Sequence, residues 1–232
     1  MSPRLEVARD PADLAARAAD HVEALLRAGS GPFRLALSGG STPRALYARL
    51  AGRDLPWERL RLFLGDERAV PPDHPDSNYR MVRETLLAGA PLAPEQVHRW
   101  ETERGPEGAA EAYEATLARE FGGFPPRFDL VLLGMGDDGH TASLFPGTPA
   151  LEVLDRSTAA NPPGGSRGWR LTLTFPVLNA ARRVLFLVAG ASKTPALRTV
   201  LAGGDLPAAR VRGTEDTLFL VDRAAWPEPA GA

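Results

Sequence analysis

Apolar positions along this chain follow two spacings in turn. Leu14, Ala18, Val22, Leu25 and Leu26 recur at helical spacing and mark one apolar face. The helix that carries them starts at Asp10-Pro11-Ala12-Asp13, an N-cap Asp followed by Pro and an acid in the first turn. Gly29, Gly31 and Pro32 end it, and Phe33-Arg34-Leu35-Ala36-Leu37 then reads as a buried strand, expected to be the first. The alternation repeats. Further strands are expected at Leu60–Leu64, Asp129–Leu133, Leu171–Phe175, Val184–Ala189 and Thr217–Val221, with a weaker one at Val97–Trp100. Helices are expected at Thr42–Leu50, Ser77–Leu87, Pro106–Glu120 and Lys193–Leu201.

Strands alternating with helices predict an α/β fold, a mostly parallel doubly wound sheet covered on both faces. The unbroken run Leu130-Val131-Leu132-Leu133 suits a strand buried on both sides. Such sheets bind ligands at the carboxyl ends of their strands, so the residues after each strand are where chemistry is expected. The breaker-rich stretch Asn161–Gly168 predicts a mobile loop, and residues 227–232 a flexible tail. Neither divides the chain, so residues 1–226 are expected to form one domain.

Composition narrows the function. The 232 residues carry 27 basic and 29 acidic side chains, a net charge of −2, which supplies no global field for gripping nucleic acid or an anionic membrane. No apolar run is long enough to span a bilayer, and Met1–Glu6 lacks the apolar segment of a signal peptide. The absence of cysteine excludes disulfides, thiolate metal sites and cysteine nucleophiles. A cytoplasmic enzyme or ligand-binding domain with a small-molecule partner is expected, with no nucleic-acid or membrane partner. Lys193 is the sole lysine among the 27 basic residues.

Four post-strand segments carry candidate chemistry. In Ser38-Gly39-Gly40-Ser41-Thr42-Pro43, glycines allow close backbone approach, Ser41 or Thr42 can cap the next helix, and free N–H groups at a helix start make an anion site. A plain strand-to-helix turn has the same signature. In Gly65-Asp66-Glu67-Arg68, followed by Asp76-Ser77-Asn78, the polar groups read either as contacts to sugar hydroxyls or phosphate or as a surface ion-pair cluster. In Gly134-Met135-Gly136-Asp137-Asp138-Gly139-His140 the three glycines match a dinucleotide-binding spacing, with Asp155 in place of a ribose-binding acid. Two acids facing a pyrophosphate, and Pro146, Gly147 and Pro149 cutting short any crossover helix, reject that reading. The segment reads instead as a glycine turn presenting His140 as a general base beside a helix N-terminus. Asp138 would orient the imidazole or make a turn-forming contact. His21, His74 and His98 fall on a helix, in a proline-rich loop and on a weak edge strand. With no second histidine nearby, no metal is expected. Finally, Gly190-Ala191-Ser192-Lys193 holds a flexible ammonium suited to phosphate. Arg170 is either a second phosphate clamp or a solvated strand-start charge.

Together the segments LALSGGSTPRALY, LFLGDERAVPPDHPDSNYRMV, DLVLLGMGDDGHTASLFPGTPAL and RLTLTFPVLNAARRVLFLVAGASK, in family order over positions 35–193, resemble the 6-phosphogluconolactonases. The resemblance implies the fold of the glucosamine-6-phosphate deaminase and ribose-5-phosphate isomerase group. It also implies cofactor-free, metal-free hydrolysis of 6-phosphogluconolactone in the oxidative pentose phosphate pathway, by a monomer or small homo-oligomer. Carried over, His140 would be the water-activating base, with Asp138 beside it. Ser38, Gly39, Gly40, Ser41, Thr42, Asp66, Arg68, Asn78, Arg170 and Lys193 would surround sugar and phosphate. Where the family often has Lys-Pro-Pro, this chain has Asn161-Pro162-Pro163 and a longer loop, leaving open whether Arg167 or Arg170 clamps the phosphate. Deaminase relatives carry a Glu soon after the histidine, and here Leu144-Phe145-Pro146 stands in its place. Repressor-type sugar sensors on this scaffold carry a DNA-binding segment, for which the single helix before Phe33 leaves no room.

Overall fold

The computed structural model describes residues 2–162 and 168–226. The expected tail 227–232, Arg167 and most of the expected mobile loop lie outside the described residues.

A seven-stranded sheet organises the chain. Its strands are β1 (Arg4–Ala8), β2 (Phe33–Leu37), β3 (Leu60–Leu64), β5 (Val97–His98), β6 (Leu130–Leu133), β9 (Arg183–Val188) and β10 (Asp216–Asp222), in the spatial order β1-β10-β9-β6-β2-β3-β5. Every pairing in this sheet is parallel. The helices are α1 (Pro11–Ala28), α2 (Ser41–Ala51), α3 (Asn78–Val82, running on through a wider turn at Arg83–Leu87), α4 (Gly105–Phe121), α5 (Phe175–Ala180) and α6 (Thr194–Leu201). The α/β expectation and its main elements hold.

Local chemistry explains the elements. The Asp10 side chain accepts a hydrogen bond from Asp13 N at 2.8 Å, closing the predicted cap of α1. This helix then buries Leu14, Ala15, Ala18, Ala19, Val22 and Leu26. Leu130–Leu133 is buried at all four positions, as its uninterrupted apolar run requires. Truncating one of these leucines to alanine would cost about 2–5 kcal/mol. Trp100 stacks on Tyr113 at 3.9 Å, and the Tyr113 hydroxyl accepts from Leu64 N, fixing α4 to the end of β3.

Three expectations need correction. A strand, β1, precedes Phe33; it lies at the sheet edge, exposed or half-buried at every position but Ala8, and its charged residues Arg4 and Glu6 leave no apolar run to announce it. A second sheet exists, three antiparallel strands in the order β4-β8-β7, formed by Asp66–Arg68, Arg170–Leu173 and Thr158–Asn161. The segment expected as a strand at Leu171–Phe175 therefore belongs to this sheet, and Phe175 opens α5, where Pro176 sits in the first turn. Gly65 joins the two sheets: its N–H donates to Leu37 O at 2.8 Å and its carbonyl accepts from Leu173 N at 2.9 Å.

The chain runs outward from β2 to β3 and β5, then returns to the opposite side of β2 with β6. That reversal opens a crevice at the carboxyl ends of β2 and β6, between the loops that follow them. No described helix is long and apolar enough to cross a membrane.

Candidate active site

The crevice holds a cleft of about 200 Å³ lined by Ser38, Gly39, Gly40, Asp66, Arg68, Asn78, Gly134, Met135, Gly136, His140, Ala142 and Lys193. Eight of the residues expected from sequence are among them.

The turn after β6 shapes the basic group. Gly136 N donates to His140 O at 2.9 Å and Gly139 N to Gly136 O at 3.1 Å, so the turn folds back on itself. Within it, Asp138 Oδ1 accepts from His140 N at 3.1 Å and lies 2.5 Å from His140 Nδ1. Both expected roles of Asp138, turn-forming and imidazole-orienting, are thus geometrically met by one oxygen. A Cβ on Gly136 would overlap the His140 ring and lie 2.6 Å from Asp138 Oδ1, so only glycine admits this contact. The Phe145 ring packs on the imidazole at 4.4 Å. With Nδ1 engaged, Nε2 is the nitrogen left to act as a base. The expected helix N-terminus is not there: Thr141 and Leu144 close a tight bridge, and the chain continues in turns to Thr148. Gly136 and Gly139 N–H groups are committed within the turn and are not free to bind a ligand.

The loop after β2 forms the opposite wall. Tyr47, fully buried, clamps it twice: its hydroxyl accepts from Ser38 N at 2.9 Å and donates to Ser38 O at 2.8 Å. Burial pushes the Tyr47 phenol pKa up, so it stays a neutral donor. Ser38 Oγ is buried and has no hydrogen-bond partner among the described residues. A Cβ on Gly39 would overlap the Asn78 amide, which explains the glycine there. Ser41 and Thr42 do not cap α2; the N-cap is Gly40, which has no side chain to bond the helix start. The first-turn N–H groups are therefore left unoccupied by a cap.

On β4, neighbouring side chains point opposite ways. Asp66 faces the cleft, its Oδ2 accepting from Ser143 Oγ at 2.7 Å and its backbone carbonyl from Asn78 Nδ2 at 3.0 Å. Glu67 points into the protein and accepts from Asn78 N (2.7 Å), Tyr79 N (2.8 Å), Arg68 N (2.8 Å) and Ser77 Oγ (3.1 Å). The surface ion-pair alternative fails for Glu67, which is 2 % exposed and anchors the start of α3. Its burial raises the carboxyl pKa while the backbone donors pull it down. Arg68 donates to Asp76 O and lines the cleft. Arg170 is directly opposite Arg68 in the ladder, on the same face of the small sheet, but does not line the cleft.

Lys193 closes the site from the turn after β9, which Asp222 secures by accepting from Gly190 N at 3.0 Å. Its Nζ lies 2.6 Å from Asp137 Oδ1, and Ser192 Oγ donates to the same oxygen at 3.1 Å. The Lys193 and Ser192 contacts lower the Asp137 pKa.

Residues 9–220 match the family described as glucosamine-6-phosphate isomerases/6-phosphogluconolactonase. The chain belongs to this family. A 6-phosphogluconolactonase of Nostoc sp. is 44 % identical over 240 residues, covering 98 % of this chain and 99 % of the relative. One from Synechocystis sp. is 47 % identical over 204 residues, 84 % of each chain. The solved 6-phosphogluconolactonase from Trypanosoma cruzi superposes with a TM-score of 0.90 at 31 % identity, covering 99 % of this chain and 98 % of that one.

Within the isomerase/lactonase family frame, the described site differs from expectation in its supporting contacts. Ser41, Thr42, Asp138 and Arg170 stand behind or beside the lining. Ser143 and Tyr47, which hold Asp66 and Ser38, are not among the sequence candidates, and Glu67, read there only within its segment, holds α3; Ser143 follows His140 by three positions in the same motif, the one signal that points to it. Among the described residues no three His, Cys, Asp or Glu side chains converge as a metal site would.

Proposed function

We propose that this chain hydrolyses 6-phosphogluconolactone to 6-phosphogluconate, in the oxidative pentose phosphate pathway, with His140 as the general base. The observation that carries the reading is the His140–Asp138 contact at the wall of a cleft that also holds Lys193 and Arg68. A δ-lactone is an activated ester, so water made nucleophilic by a base suffices and no covalent intermediate is required. Asp138 holds the proton on Nδ1, which keeps the Nε2 lone pair for the substrate side. Nε2 takes a proton from water as the oxygen adds to the lactone carbonyl. The imidazolium, stabilised by Asp138, then returns that proton to the ring oxygen as the C–O bond breaks. Nothing in these steps needs a metal.

Lys193 and Arg68 bring positive charge to the cleft, and Ser38 Oγ and the uncapped start of α2 add neutral donors. These groups hold the phosphoryl group, and Asp66 and Asn78 the sugar hydroxyls. Arg170 extends the positive side next to Arg68. Holding the phosphate places the carbonyl against His140, so remote binding contributes to orientation. The contiguous core supports residues 1–226 as one domain. On this reading the enzyme is cytoplasmic and acts on a small molecule.

The test is hydrolysis of freshly generated 6-phosphogluconolactone, measured against its spontaneous rate with and without chelator, for wild type and His140→Ala. Chelator-resistant acceleration that His140→Ala loses is expected. No acceleration by wild type would end the lactonase reading; acceleration retained by His140→Ala would end the base assignment.

A further inference from the structure

Lys193 is the sole lysine of the chain, and a carboxylate engages it. Its ammonium lies 2.6 Å from Asp137 Oδ1. The two residues sit on turns that follow adjacent parallel strands, β6 and β9. They face different surroundings. Lys193 lines the cleft and its side chain is 25 % exposed; Asp137 does not line the cleft and its side chain is 63 % exposed. The carboxylate therefore holds the ammonium from the solvent side, assisted by Ser192 Oγ on the same oxygen. It stands one residue before Asp138, yet makes none of the contacts that position His140.

We propose that Asp137 is a specificity-determining residue that competes with the substrate's phosphoryl group for Lys193 and so moderates affinity for phosphorylated lactone. The proposal rests on the reading of Lys193 as a phosphate ligand. A phosphate dianion reaching Nζ meets an ammonium whose charge is partly offset, and then lies close to a second anion. Binding must either displace Asp137 or share the lysine with it. A lactone without phosphate makes no such demand, so Asp137 lowers the enzyme's discrimination between the two. Because the carboxylate side of the pair is largely exposed, the effect is that of a surface ion pair, about twofold to fivefold in affinity.

The experiment is a double-mutant cycle of Asp137→Asn and Lys193→Ala, with KM and kcat measured on 6-phosphogluconolactone and on glucono-1,5-lactone. Asp137→Asn is expected to lower KM for the phosphorylated lactone about twofold to fivefold, with the KM for the unphosphorylated lactone unchanged. In the Lys193→Ala background most of that gain disappears, and Asp137→Glu restores the wild-type value. A KM that rises or stays put in Asp137→Asn overturns the proposal, because the carboxylate would then be tethering the lysine for the substrate. An equal fall with and without Lys193 also overturns it, because a general field would be at work. Calorimetric binding of glucose 6-phosphate to the same four proteins reads the competition without turnover. Inactive wild type would therefore count against the lactonase reading alone, and an unchanged calorimetric affinity against the proposal alone.

Discussion

One methyl group at Gly136 separates the proposed catalytic geometry from the fold. The Cβ of Gly136→Ala would overlap His140 Nδ1 and Cε1 and stand 2.6 Å from Asp138 Oδ1. Ordinary carbon contact begins near 3.5 Å, so the ring must retreat by more than about 1 Å or rotate away from Asp138. Gly136 has no left-handed φ, so alanine fits its backbone. The obstructed atoms are side-chain atoms at the edge of the cleft, not core. On the proposed mechanism, a base misplaced by about 1 Å loses on the order of a hundredfold in kcat. Lys193 and Ser38 lie on the turns after other strands and Arg68 on β4, so KM should move less than threefold, roughly the scatter of uncoupled sites. Initial rates by pH-stat titration of the released acid give kcat and KM, and a thermal melt gives the fold. The reasoning is refuted by kcat near wild type, or by a kcat loss accompanied by a drop in Tm of more than about 8 °C, the shift that roughly 2–4 kcal/mol would produce in a domain of this size.

Two further outcomes are expected. Glu67→Gln removes the anion on which three backbone N–H groups and Ser77 Oγ converge and should destabilise the protein by about 2–4 kcal/mol, read as a lower urea midpoint at unchanged m-value. Two parallel bonds from Arg99, at 2.6 and 2.9 Å, hold the Glu103 pKa down at about 2. A depressed carboxyl contributes stability that is present above its unfolded pKa, near 4.5, and lost as pH falls through 2; Glu103→Gln should flatten the pH–stability curve across that window, and an unchanged curve in a urea series would remove the pair from acid unfolding.

How legible each part was follows from where its partners lie. Leu130–Leu133 and Phe33–Leu37 are buried on both faces, so their own residues declare them. Thr158–Asn161 has no apolar alternation and becomes a strand only because Arg170–Leu173 pairs with it. Arg4–Ala8 depends in the same way on Asp216–Asp222. In the site, the glycines and His140 were readable because a turn must be spelled locally. The Ser143–Asp66 bond joins positions 77 apart and Ser192–Asp137 positions 55 apart, and no local pattern encodes such contacts. Arg68 and Arg170 meet across a small antiparallel ladder that alternating strands and helices gave no reason to expect.

The pairing of β1 with β10 also governs how the chain comes together. Arg4 reaches Asp216 across 212 positions, and β10 fills the slot between β1 and β9. At synthesis rates of about 5–20 residues per second, β1 waits on the order of 10–40 seconds for its only neighbour in the sheet. Until then α1 has β1 beside it but lacks β10, the other strand it packs against. Assembly of the N-terminal edge is thus a late, long-range event, slow in the way distant parallel pairings are. A ribosome-bound chain halted before Asp216 would expose Arg4–Ala8 to proteases even with Phe33–Leu37 and Leu130–Leu133 already paired.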